Sequence, residues 1–76
     1  MTRHILSELV PGESAVVCGI DEKSGMKRRL MDLGFTEKTG VKCMCVSPLG
    51  DPKAFLVKNT LIALREDDSR YVYICK

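Results

Sequence analysis

Turn-forming residues recur so often in this chain that only one stretch has room for a helix with a continuous apolar face. Pro11-Gly12, Gly34, the run from Ser47 to Pro52, Asn59-Thr60 and the run from Glu66 to Ser69 cut the sequence into short pieces. Within the one exception, Ser24 offers a hydroxyl to the free N–H groups of a helix starting near Gly25. Met26, Leu30 and Leu33 recur at i, i+4 and i+7, which places them in one narrow stripe facing a core. Gly34 supplies the left-handed stop. A helix of about nine residues is too short to stand alone in water, so packing on a sheet must hold it.

The remaining pieces read as strands. Ser14 to Ile20 carries Ala15, Val16, Val17 and Cys18, residues that suit a pleated surface. Val41, Cys43 and Cys45 alternate with Lys42 and Met44, the period of two that marks a strand with one buried face. Lys53 to Lys58 and Leu61 to Arg65 flank Asn59-Thr60 as a hairpin, since Asn tolerates φ > 0 better than any residue but Gly. Tyr71 to Cys75 makes the last strand, while Leu6, Leu9 and Val10 form one apolar turn ahead of Pro11. The expected fold is mainly β, a small antiparallel barrel of about five strands with one or two short helices, because closure removes edges that so small a protein hardly covers.

A length of 76 residues allows one domain, 1–76, and a formal charge of +2 advertises no nucleic acid. The longest apolar run, Tyr71 to Cys75, falls far short of a membrane span, and no signal-like start is present, so the chain reads as soluble and cytoplasmic. In that compartment the four cysteines are expected as free thiols. Catalysis is poorly provided for: His4 is the only histidine, near an end expected to be mobile, and a nucleophile needs a positioned base. No GxxxxGK[ST] phosphate loop occurs. Cys43 and Cys45, two residues apart on a strand, are expected to share a face, where they serve either as core hydrophobes or as thiolate ligands for Fe²⁺ or Zn²⁺. Cys18 and Cys75 would complete a four-thiolate set if their strands converge. On the helix, Met31 points away from the apolar stripe and is expected in solvent beside Lys27 and Arg28. Arg29 flanks the stripe and is assigned a structural role.

Several motifs in this order resemble the FeoA family of small ferrous iron transport proteins. They are Leu6, Leu9 and Pro11-Gly12-Glu13; Met26 with Arg29-Leu30-Met31-Asp32-Leu33-Gly34-Phe35; Ser47-Pro48-Leu49-Gly50-Asp51-Pro52; and Ile62-Ala63-Leu64-Arg65. Two positions depart from the family pattern: Lys38 and Asn59 stand where Gly is common. The resemblance implies an SH3-like barrel that assists the membrane transporter FeoB by docking on its cytoplasmic GTP-binding part, recruited to the membrane face without inserting. It implies no catalytic residues and no carried-over ligand set; transition-metal binding and self-association stay open. The helix and the loop after it, Lys27, Arg28, Met31 and Thr36, are the expected docking residues, because a short helix laid over a barrel presents side chains the core does not need. The alternative is a thiolate metal binder or sensor using Cys43 and Cys45.

Overall fold

In the computed structural model, which describes residues 3–76, six strands form one antiparallel sheet ordered β1-β6-β2-β3-β4-β5. They are β1 (Arg3–Ile5), β2 (Ser14–Ile20), β3 (Gly40–Val46), β4 (Lys53–Val57), β5 (Thr60–Leu64) and β6 (Val72–Cys75), with helices α1 (Lys27–Leu33) and α2 (Glu66–Ser69). Strands β3 to β5 make a meander, and β6 returns between β1 and β2. Alternation drives this curl: Ala15, Val17, Val41, Cys43, Phe55, Val57, Ile62, Leu64, Val72 and Ile74 point into one buried cluster.

Among the described residues no strand ladder joins the sheet's two ends, β1 and β5. A 3-10 turn, Leu6–Glu8, touches α2, and its first residue Leu6 and the following Leu9 are wholly buried. From β4 the Lys53 ammonium donates to the carbonyls of Ser7 and Leu9 at 2.6 and 2.8 Å, fastening that turn over the core. The Gly12 amide donates to the Cys43 carbonyl and the Cys43 amide to that of Glu13, at 2.8 and 2.9 Å. Val10, expected to share the apolar turn, is instead 52% exposed, because the chain leaves the core after Leu9.

Strand β1 is the element the sequence reading lacked, and it places His4 opposite Ile74 in a ladder rather than on a loose end. The hairpin turn sits one residue earlier than expected, at Lys58-Asn59, where both φ angles are positive (49° and 65°) as a two-residue type I′ loop requires. The run from Glu66 to Ser69 is a short helix rather than a simple turn, and it buries Ser69.

Candidate functional site

Helix α1 and the loop that follows are fixed by backbone contacts at both ends. Ser24 Oγ accepts the Met26 amide at 3.1 Å, one residue before the first helical position. At the other end Gly34 is left-handed (φ 117°), the Gly34 amide donates to Met31 and the Phe35 amide to Leu30, the bond pair of a Schellman stop. A Cβ at Gly34 would lie 3.0 Å from Val57 Cγ1, so both conformation and space call for glycine there. This reversal folds Phe35 back beside Leu30, and both are buried. Phe35 thereby takes the core position that helical spacing assigned to Leu33, which is 36% exposed; Met26 packs only partly against the core.

Beyond Phe35 the loop is sewn to β2. The Lys38 amide donates to Val17 at 2.7 Å, the Val17 amide to Thr39 at 2.8 Å, and the Thr36 and Thr39 hydroxyls lie 2.7 Å apart. Lys38 itself has φ 71°, so this position needs a left-handed backbone and here holds a side chain that disfavours it. A cleft results between α1, the end of β2 and this loop, lined by Gly19, Ile20, Lys27, Met31, Phe35, Thr36 and Glu37. Three of the four anticipated docking residues, Lys27, Met31 and Thr36, meet there; Arg28 is exposed but outside the lining. Met31 is 45% exposed, as helical geometry requires, and the Lys27 ammonium pairs with Glu22. Arg29, expected to be structural, is exposed and has no hydrogen bond or ion pair among the described residues. Sequence reasoning missed Ile20 and Glu37, whose part depends on β2 ending beside the loop.

The thiols are arranged differently from the expectation. Cys43 faces the core opposite Phe55, but the β3–β4 register shifts at Met44, so Cys45 pairs with Ala54 and is exposed. A bulge inserts one unpaired residue and thereby turns the side chains beyond it to the other face. Cys43 and Cys45 therefore do not share a surface. Burial pushes the Cys43 thiol up, with Lys53 acting in the opposite sense. Cys18 and Cys75 are joined by a disulfide between β2 and β6, which corrects the expectation of four free thiols and removes the four-thiolate set. Among the described residues no three His, Cys, Asp or Glu side chains cluster so as to hold a metal ion. Nor is any described helix long and apolar enough to cross a membrane.

Solved structures with this architecture include an FeoA-like protein of Clostridium acetobutylicum, with TM-score 0.90, 26% identity, and coverage of 99% of this chain and 88% of that one. Another is FeoA of Stenotrophomonas maltophilia, described in complex with zinc as a prokaryotic SH3 domain protein (TM-score 0.83, 32% identity, coverage 93% and 88%). A manganese-dependent transcriptional repressor superposes at TM-score 0.87 with 10% identity, covering 99% of this chain and 41% of that one, which is likeness of fold alone. Among curated proteins, an Fe(2+) transport protein A/Fe(2+) transporter FeoB fusion protein of Porphyromonas gingivalis is 25% identical over 69 residues, 91% of this chain. The chain spans 8% of that relative's length. With the FeoA domain pattern matching residues 4–76, on a mainly β, SH3-like sheet with two short helices, the chain belongs to the FeoA family, which is linked to ferrous iron transport.

Proposed function

We propose that this protein is an accessory of ferrous iron uptake that docks, through the cleft beneath α1, on the cytoplasmic GTP-binding part of an FeoB-type transporter. The observation that carries this reading is the cleft itself: Met31, half in solvent, beside Lys27, with Phe35 and Ile20 forming an apolar floor. Methionine is an adaptable contact side chain, and with Lys27 and Glu37 both at its rim the cleft favours an amphipathic partner segment. The fusion of the two proteins in the Porphyromonas relative supports the choice of partner. The activity resides in an outer surface, and no step of chemistry is assigned to this chain. Working against the cytoplasmic face places it inside the cell.

Pull-down and titration with the transporter's soluble cytoplasmic portion test the proposal. Met31→Asp is expected to weaken binding at least about tenfold, equivalent to about 1.4 kcal/mol, while Arg28→Glu, outside the cleft, has a smaller effect. Full binding by a folded Met31→Asp, Lys27→Glu double variant would remove the cleft from the interface.

A further inference from the structure

The sheet ends on two strands that differ in how they guard their free edges. Strand β1 is three residues long and carries Arg3 and His4, so shortness and charge discourage pairing. Strand β5, Thr60-Leu61-Ile62-Ala63-Leu64, has no charged residue, no proline and no register shift against β4. The loop Lys58-Asn59 makes Val57 and Thr60 the closing pair of the hairpin. Counting by two from there, Thr60, Ile62 and Leu64 turn their N–H and C=O groups to β4, and Leu61 and Ala63 turn theirs outward. Among the described residues those outward groups have no backbone or side-chain partner, and β5 pairs with β4 alone. The side chains beside them are also unprotected: Leu61 is 60% exposed and Ala63 is exposed, and with half-buried Leu56 and Ala54 they make an uncharged outer face of β4 and β5, bordered on β3 by exposed Lys42 and Cys45.

We propose that β5 is the pairing edge for a second copy of this chain, antiparallel across a two-fold axis through Ile62. Self-complementarity selects this occupant. In that register Leu61 stands opposite Ala63 of the second copy, a large side chain against a small one, and both are hydrogen-bonding positions. Each such pair exchanges two N–H to O=C bonds, so the two pairs satisfy all the outward groups of Leu61 and Ala63. Beyond the strand ends the same register brings exposed Lys58 beside exposed Glu66 of the second copy, once at each end. Charges opposed in this way favour the antiparallel arrangement over a parallel one, which would set Lys58 against Lys58. The two sheets then run into one across the dimer. An interface limited to one strand edge and its outer face belongs to the small, reversible class.

The association is independent of the transporter and is measured on the protein alone. Sedimentation velocity across about two decades of concentration, up to roughly 1 mM, is expected to show a monomer–dimer equilibrium. Amide exchange at Leu61 and Ala63 should slow as the dimer forms. Ala63→Pro removes an outward donor in each copy while sparing the β4 ladder, and Leu61→Lys places a charge on the contact; each should raise the dissociation constant at least about tenfold. Lys58→Glu should weaken the dimer and Glu66→Lys added to it should restore it, which a merely destabilised fold would not do. A protein that stays monomeric throughout, a dimer indifferent to both Leu61→Lys and the charge exchange, or protection of the edge only on adding the transporter portion overturns the proposal.

Discussion

Strands β2 and β3 are both seven residues long, both begin with strict alternation, and both break register near their ends, yet the breaks act oppositely on their thiols. In β2 the skipped residue is Cys18 itself, between Val17 opposite Ile74 and Gly19 opposite Tyr73, and its sulfur bonds to Cys75. In β3 the skipped residue is Met44, and the break separates Cys43 in the core from Cys45 in solvent. The spacing of cysteines along a strand therefore says little about their spacing in space once one residue is left out of the ladder. A bulge is a tertiary event, set by how a curling sheet relieves its twist.

The largest effect is expected at the last pair of β3 before its break. Phe55 is wholly buried opposite Cys43, and Phe55→Ala should destabilise the fold by about 3 to 5 kcal/mol, read from denaturant midpoints. A loss under about 1 kcal/mol would mean that β3 does not deliver its inner face to the core before the bulge. Next comes the cross-link. It closes most of the chain, with 57 residues of separation, and its reduction should lower stability by about 2 to 4 kcal/mol. Thermal melting with and without reductant checks this, the Cys18→Ala, Cys75→Ala variant being indifferent to reductant; an unshifted wild-type transition would show that the β2 break does not join these sulfurs.

The two remaining cysteines separate the strands' behaviour further. Cys45 should react with a thiol reagent at the rate of an exposed cysteine and Cys43 only as the protein unfolds. Cys43→Ser puts a hydroxyl in an apolar site and should destabilise by about 1 to 3 kcal/mol, and Cys45→Ser by less than about 0.5 kcal/mol. Burial raises the Cys43 thiol above its ordinary 9.0, so the unfolded chain ionises first. That contribution to stability is complete below pH 9.0 and declines as the pH rises beyond it, and the decline should vanish in Cys43→Ala. Equal labelling rates at Cys43 and Cys45 would put both thiols back on one face.

What the sequence made legible follows the same division. Ser14–Ile20 has the bounds of β2 as expected, the inward positions Val41 and Cys43 hold, and the exposure of Met31 follows from helical geometry alone. These depend on neighbours in the chain. Leu33 failed because Phe35, after the left-handed reversal at Gly34, competes for the same core space, and β1 was hidden because three residues carry too little pattern to show a period. The cleft was half visible: its helical wall follows from residue spacing, whereas Ile20 and Glu37 join it only through the loop's bonds to β2.

The smallest effect concerns that loop. Lys38 holds the left-handed conformation while its amide bonds to Val17, just before the β2 break, so the ladder requires a backbone that lysine resists. In an L-residue this region is disfavoured by about 1 to 2 kcal/mol, and glycine returns part of the gain through its freer unfolded chain. Lys38→Gly should therefore stabilise the fold by about 0.5 to 1 kcal/mol, raising the melting temperature by a few degrees without moving the Cys18 and Cys75 sulfurs apart. A destabilised Lys38→Gly variant would mean that the lysine side chain holds the loop against β2, and that this end of β2 depends on side-chain contact more than on backbone conformation.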